Sequence, residues 1–496
     1  MHSPREELPT AAPVSTRLSA VDVARRVLVR VEAGAYASLA LSGEMDRAQL
    51  DESARGLCTE LVYGSLRKRA LLDAALLRLA PRGLATLDPQ VRVLLRLGAY
   101  QLLFTRVPPA RAVNQVVTAL RALRGPGLAG FANALLRRLA REGLPPPVAL
   151  PADANPQQIC EALSSQHGLP AFLIEDLLVL LGRSETEALC AALDQPAPTW
   201  LRLNSLRGSV DEARAVLLRE GVALHDPTEG SAAAPTADDE RALLSAVPEA
   251  VRVRAGYPFA GAAYADGWFT AQDLGAQLVA RLLLADVEGH ALTLPDGPVL
   301  DACCGTGGKA THLAALLAAR GDVRAIDAAD RSLRKLDLCR EHIARLRCRE
   351  VRPLQLDLLR EEAMTAALRP RYAAILLDAP CSGSGVLRRH PEARTRLQQP
   401  DVQVLAQTQR RMLAGLIPHL SVGGVVVYAV CSLLREEGPA VVAQVLRDHP
   451  ELALLSPPSA QAPWHHVYRS QPDGLYTWPH AHNADSFYAI RLTRTR

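Results

Sequence analysis

Two apolar runs in the C-terminal half of the chain each end in a cysteine. AAILLDAPCSGSGVLRRHPE brings Asp378, Pro380 and Cys381 to the end of a buried strand, followed by a flexible loop from Ser382 to Gly385 and then by Arg388, Arg389 and His390. GGVVVYAVCSLLREEG brings Cys431 to the end of another. A lone cysteine is ordinarily a small buried hydrophobe. Two thiols at the ends of two strands on one edge, with an aspartate beside one of them, are poorly explained as packing and read as parts of a site.

A third run, PVLDACCGTGGKATHLAALLAAR, ends a strand at Asp301 and passes through Cys303, Cys304, Gly305, Thr306, Gly307, Gly308 and Lys309 into a helix. Glycines there let the backbone approach a ligand closely and set helix N-terminal amides around it. The run is neither a G-x-x-x-x-G-K-[ST] phosphate loop nor a G-x-G-x-x-G dinucleotide turn. Asp327 lies about 20 residues past the glycines, the spacing that lets a carboxylate meet a ribose hydroxyl. Asp357, after the apolar stretch VRPLQL, falls on the same rim. Together these residues predict a pocket for an adenosine-type ligand.

Such residues need a sheet to hold them. From about Gly267 onward the sequence predicts strands at Pro298–Ala302, Asp322–Ile326, Tyr372–Leu377, Gly424–Val430 and Ser486–Leu492, with helices at Lys309–Arg320, Arg331–Leu346 and Asp401–Leu420. Alternation of this kind implies a mostly parallel, doubly wound α/β sheet, which binds ligands at the carboxyl ends of its strands. Earlier, apolar residues recur with helical period from Val21 to about Arg141, interrupted by short Pro or Gly breaks, which reads as an all-α bundle. GLPPPVALPADANP, at 143–156, carries five prolines and marks a boundary. A second helical stretch runs from Pro156 to about Asp194, and TWLRLN with the helix DEARAVLLREG makes Trp200–Asp266 a small α+β module with a loop insertion at Asp226–Glu240. The predicted division is therefore a disordered leader at 1–16, a helical domain at 17–145, a helical linker plus module at 156–266, and the α/β domain at 267–496.

The 496 residues are 49% hydrophobic and 22% charged, which excludes disorder, collagen and a pure coiled coil. No stretch reaches the roughly 18 uncharged apolar residues of a membrane helix, and the start lacks an apolar signal core, so a cytoplasmic, membrane-free protein is expected. Nine cysteines without C-x-x-C pairs argue against a disulfide framework and a metal site. Charge is uneven: Met1–Pro145 holds 21 Lys plus Arg against 12 Asp plus Glu, a net +9, while the remainder is −5. Such asymmetry points to a polyanion, most simply a nucleic acid.

At the three chemical segments the chain resembles the RNA cytosine-5 methyltransferase family, whose pattern is D-x-C-A-A-P-G-G-K-T, then D-A-P-C-S-G-T-G, then T-C-S; here these read DACCGTGGKA, DAPCSGSG and VCS. FTAQDLGAQL and DSFYAIRL are similar to two further family segments, and ELVYGSLRKR, LRLGAYQLLF, PARAVNQVV and GFANALLRRLAR resemble the transcription antitermination factor NusB. The resemblance implies a NusB-like RNA-binding bundle joined to a Rossmann-like class I methyltransferase that uses S-adenosylmethionine. It also implies that Cys431 is the nucleophile adding to carbon 6 of cytosine, that Asp378 binds the base edge and also faces the cofactor, and that Cys381 assists product release. A thiol with a pKa of about 8.5 is only a few per cent ionised at neutral pH, so Cys431 needs a helper, with Arg388 or a helix N-terminus as candidates. The implied partner is structured RNA with an unpaired or flipped cytosine, most simply 16S ribosomal RNA, bound by a monomer through Arg67, Arg69, Arg137, Arg138, Arg388 and Arg389. A transfer RNA enzyme with the same site, and an RNA-binding protein with an inactive methyltransferase domain, are the alternatives.

The loop departs from the family at Cys304, Gly305 and Thr306, where Ala, Ala and Pro are usual, and Val430 replaces threonine before the nucleophile. Only three lysines, Lys68, Lys309 and Lys335, stand among the 56 strong bases, yet one of them is the lysine of the Gly-Gly-Lys turn. A compact ammonium fits where a planar guanidinium would crowd, so Lys309 reads as a requirement of the site.

Overall fold

The computed structural model describes the chain apart from residues 1–17, 81–82, 85, 147–149, 226–242, 246, 288–289, 456–463, 465–466 and 471–472. The expected leader at 1–16 and the insertion at 226–240 lie outside the described residues. The chain forms two compact units, Met1–Ala149 and Leu150–Arg496.

The first unit is helical: α1 (Ala20–Glu32), α2 (Ala37–Ala48), α3 (Glu52–Arg67), α4 (Arg69–Leu79), α5 (Pro89–Phe104), α6 (Pro109–Arg124) and α7 (Pro126–Glu142). Local signals set the ends. Ser19 and Asp22 make a capping box at α1, proline opens α5, α6 and α7 where a missing N–H costs nothing, and Gly125 and Gly143 close α6 and α7 with positive φ. The apolar stripes meet in one core that includes Val27, Leu61, Leu76, Leu94, Leu97, Leu120 and Leu136. Over it, Glu32 accepts from Arg92 and Arg96, and Arg96 also reaches Asp73 at 2.6 Å.

In the second unit, helices Pro156–His167 and Ala171–Leu193 precede a four-stranded sheet of order β2-β3-β1-β4, with β1 Trp200–Leu203, β2 Ala223–Leu224, β3 Ala250–Ala255 and β4 Phe269–Ala271. Because β4 pairs with β1, this sheet runs past Asp266, where the sequence ended the module.

The larger sheet has the order β11-β12-β13-β9-β8-β5-β6-β7, where β5 is Val299–Asp301, β6 Ile326–Asp330, β7 Val351–Gln355, β8 Tyr372–Asp378, β9 Leu420–Val430, β11 Tyr468–Ser470, β12 Asp473–Thr477 and β13 Phe487–Arg494; β10 (Leu452–Leu454) also pairs with β13. β7, β6, β5, β8 and β9 are parallel, and β13 runs antiparallel to β9. Along β8 and β9 the side chains alternate between two cores. Ile375, Leu377, Tyr428 and Val430 pack on one face, and Ala374, Leu376, Val427 and Ala429 on the other. Helices cover both faces, so the strands must be apolar on both sides and only their ends can carry chemistry.

One buried group welds the small sheet to the large one. Arg202 of β1, 3% exposed, donates to Gln272 Oε1 (2.6 Å), Gly308 O (2.6 Å) and Thr311 Oγ1 (2.9 Å), and burial lowers its pKa to about 10. The module thus holds the backbone at the start of the helix Gly308–Ala319, directly after the glycine turn.

Candidate active site

β8 and β9 end side by side, with Asp378 level with Ala429, so Cys381 and Cys431 leave the sheet on the same edge. Their sulfurs are 3.3 Å apart. The chain after Cys381 is drawn back against Cys431: the Gly385 amide donates to Cys431 O (3.0 Å) and the Ser486 amide to Gly385 O (3.0 Å). Any β-carbon at Gly385 would lie 2.2 Å from Ser486 O, so only glycine passes between the two strand ends. The bond to Cys431, followed by burial, pushes the Cys381 thiol well up.

The positive group beside them is Lys309. Its Nζ is 2.6 Å from Asp378 Oδ2 and 5.2 Å from the centre of the Phe487 ring. Burial works against the ammonium, but Asp378, Asp301 and Cys431 outweigh it, and the Lys309 pKa is raised. Arg388, the side chain expected to help Cys431, does not take this place. Arg388 is buried with its guanidinium on Pro196 O (2.8 Å) and Asn483 Oδ1 (3.1 Å). Arg389 is clamped between Asp273 Oδ2 (2.7 Å) and Asp485 Oδ2 (2.5 Å). Both guanidinium groups take internal acceptors, which tie the site loop to residues 196–198, 273 and 483–485; the burial of Arg388 counts against it as an RNA contact, whereas Arg389 stays partly exposed.

At the glycine turn, the Cys304 amide bonds Ala329 O (2.8 Å) and Gly307 adopts φ +85° as the helix N-cap. A β-carbon on Gly307 would also meet Cys339 Sγ at 2.6 Å, whereas one on Gly305 or Gly308 would meet nothing within 4 Å. The loop thus packs inward at Gly307 and opens outward at Gly305 and Gly308. Cys303 is half-buried with its thiol pushed up mainly by burial, Cys304 is buried against Cys339, and Thr306 O is bonded by His342.

The carboxylate beside this turn is Asp330, which accepts from the Gly305 amide (3.2 Å) and the Ser332 amide (2.8 Å). Asp327 is not on the rim. It is buried at the opposite end of β6 and binds Arg352 (3.0 Å), Arg369 (2.9 Å) and the Tyr372 hydroxyl (2.8 Å). The sequence placed the strand at Asp322–Ile326, four residues early, because the five-residue strand IDAAD hides two carboxylates inside a fully buried element. Asp357 follows β7, half-buried, and caps the Leu359 amide (3.0 Å).

Asp301, which the sequence passed over, is fully buried at the end of β5. Both its oxygens lack a hydrogen bond of normal geometry, the Cys303 and Ala310 amides only approaching it, and burial raises its pKa to about 7. Buried carboxylate oxygens without donors, next to an open glycine face and a second carboxylate at Asp330, fit a ligand that brings its own donors. Among the described residues no group of three or more His, Cys, Asp or Glu is placed to hold a metal ion, and no helix is long and apolar enough to cross a membrane.

In the helical unit, Arg67 and Arg69 are half-buried. Arg69 lies 3.9 Å from Asp73, and burial lowers its pKa. Arg137 and Arg138 are exposed on α7, bonded to Asn133 (3.0 Å) and Glu142 (2.6 Å). From Arg106 to Glu142 there are seven arginines and one acid, whereas α1 to α5 with their caps hold bases and acids in near balance. The basic excess is thus concentrated on α6 and α7.

Comparison with known proteins bears directly on this arrangement. The profile of the family described as 16S rRNA methyltransferase RsmB/F matches residues 291–493, the NusB family matches 15–141, and the ferredoxin-like domain of RsmF/B-like methyltransferases matches 169–234. Ribosomal RNA small subunit methyltransferase B of Pseudomonas putida is 33% identical over 95% of this chain and 97% of its own. The chain belongs to the RsmB/F methyltransferase family. The Mycobacterium tuberculosis protein MT1451 is 35% identical over 99% of both chains. The crystal structure titled PH0851 superimposes with a TM-score of 0.70 at 22% identity, covering 96% of this chain and 98% of that one, which shows the shared fold. As a member of the RsmB/F family, the chain is an RNA cytosine-5 methyltransferase built from a NusB helical domain, a small linking domain and a Rossmann-like methyltransferase domain.

Proposed function

We propose that this enzyme transfers a methyl group from S-adenosylmethionine to carbon 5 of one cytosine in 16S ribosomal RNA through a covalent bond to Cys431. The observation that carries this reading is the pair of sulfurs 3.3 Å apart beside the Lys309–Asp378 ion pair. The Gly305–Gly308 turn, Asp301, Asp330 and Asp357 are the residues that would hold S-adenosylmethionine, which would supply an electrophilic methyl group.

Carbon 5 of cytosine is not nucleophilic by itself. Addition of the Cys431 thiolate to carbon 6 moves an electron pair toward carbon 5, which can then accept the methyl. Lys309 offsets negative charge on both the thiolate and Asp378 before the addition. Asp378 keeps its second oxygen for the base edge. Once Cys431 is bonded to carbon 6, it no longer presses negative charge on Cys381, so the Cys381 thiol ionises more readily and can take the carbon-5 proton. That electron pair re-forms the ring double bond, the carbon-6–sulfur bond breaks, and Cys431 leaves as thiolate.

The test is bisulfite mapping of total RNA from cells with and without the protein. One cytosine in 16S RNA loses its protection in the deletion strain; loss at a transfer RNA position instead overturns the assignment of substrate, and no change anywhere overturns the activity.

A further inference from the structure

Glu437, six residues beyond Cys431, was invisible to motif reasoning and is fully buried. One of its carboxylate oxygens accepts from the Ser382 amide (2.8 Å) and Gln409 Nε2 (3.0 Å), the other from Ser382 Oγ (2.5 Å) and Ser432 Oγ (2.6 Å). Ser382 and Ser432 are the residues directly after the two cysteines. Ser384 Oγ, between them, meets Ser432 Oγ at 3.1 Å and accepts the Leu433 amide at 2.8 Å. The Tyr428 hydroxyl donates to the Glu437 carbonyl, so the Glu437 backbone is held from β9 as well.

A buried carboxylate costs several kcal/mol in lost hydration unless donors replace the water. Here four donors do so, and three of them, all but Gln409, come from the two chain segments that carry the thiols. We propose that Glu437 is a positioning residue that sets the Cys381 turn against the Cys431 strand and so fixes the distance between the two sulfurs. The two cysteines do not depend on it equally. Cys431 has an anchor of its own, since the residue before it is the last of β9. Cys381 sits on a turn whose next residue, Ser382, gives both its amide and its hydroxyl to Glu437. Removing the carboxylate therefore releases Cys381 while Cys431 stays in place.

The inference rests on the covalent mechanism proposed above for its kinetic consequence, but its structural consequence can be read without RNA. Glu437→Gln is the mild variant, because the serine hydroxyls can turn to accept from an amide. In the full-length protein, the rate of Cys381 alkylation by iodoacetamide, followed by mass spectrometry, rises severalfold relative to Cys431, since the freed thiol loses its partner. With RNA, kcat falls about 10- to 100-fold, the scale expected from misplacing a reacting group by about an ångström. Methyl transfer in a single turnover is retained, and a protein–RNA adduct accumulates on denaturing gels because release is the step that fails.

Unchanged alkylation of Cys381 overturns the proposal whatever the enzyme does. So does a parallel fall of thermal stability, cofactor binding and single-turnover rate, which marks a purely structural role. If Glu437→Gln does not fold, Ser382→Ala, which deletes one hydroxyl and leaves the amide in place, must shift alkylation and adduct in the same direction. If Cys381→Ala itself traps no adduct, the covalent mechanism fails while the alkylation result still decides the positioning role.

Discussion

Lys309 Nζ lies 2.6 Å from Asp378 Oδ2, and this contact ties the glycine turn to the strand end that carries the first cysteine. Composition had already singled out Lys309 as a lysine in an arginine-rich chain, and the space above the Phe487 ring accounts for it, since a planar guanidinium would have to displace the ring or the carboxylate. Lys309→Met is expected to lower methyl transfer by roughly 100-fold or more, as one preorganised charge is lost from a water-poor site. Lys309→Arg does not restore it. Incorporation of labelled methyl groups into RNA measures both.

The two thiols should differ on substitution. Cys431→Ala abolishes methylation and forms no adduct, whereas Cys381→Ala permits addition and stalls release, leaving a protein–RNA band on a denaturing gel. Normal turnover by Cys431→Ala protein would sink the mechanism.

Asp330 and Asp327 give opposite phenotypes. Asp330→Ala is expected to weaken cofactor binding at least tenfold, about 1.4 kcal/mol, with little change in melting temperature. Asp327→Ala leaves Arg352, Arg369 and the Tyr372 hydroxyl without their common acceptor, so it costs about 3 kcal/mol of stability, with cofactor affinity altered only through folding. Calorimetric titration and thermal unfolding separate the two.

Asp301 gives a pH signature. Its pKa is raised to about 7 by burial, from 3.8, so the ligand-free native state binds a proton that the unfolded chain has released, and stability falls as pH rises from about 4 to 7. A ligand that donates to the carboxylate favours its charged form, so cofactor binding at pH 7 releases about half a proton. Titration calorimetry in buffers of different ionisation enthalpy reads that proton. Asp301→Asn abolishes both the release and the stability slope.

On the helical unit, Arg137→Glu with Arg138→Glu is expected to weaken binding of a 16S fragment about tenfold and to lower the slope of log Kd against log salt by about 1 to 2, the number of phosphates no longer neutralised. Arg67→Glu instead perturbs the half-buried end of α3. Filter binding across a salt series measures the effect.

How much of this was readable in the residues depended on whether a signal was local. The bundle, the glycine turn and the two cysteine strands announced themselves through period, breaks and flanking glycines, and Lys309 through its rarity. Asp330 could have been found, since Ser332 behind it is a helix N-cap and marks where the strand must stop. Glu437 could not, because nothing in CSLLREEG distinguishes its carboxylate from that of Glu436 until Ser382 and Gln409 arrive from distant segments. The internal acceptors of Arg388 and Arg389 were hidden for the same reason. Their acceptors, Pro196, Asp273, Asn483 and Asp485, are far away in the chain, and an arginine near a reactive loop looks alike in sequence whether it faces solvent or the interior.

Arg202 makes the small sheet and the glycine turn one mechanical part, because its guanidinium grips Gly308 O from a strand more than a hundred residues away. A chimera that grafts this module onto the catalytic domain of a relative would keep both folds and still misplace the turn unless Arg202, Gln272 and Thr311 travelled together. The module and the catalytic domain of this chain are therefore not freely interchangeable parts.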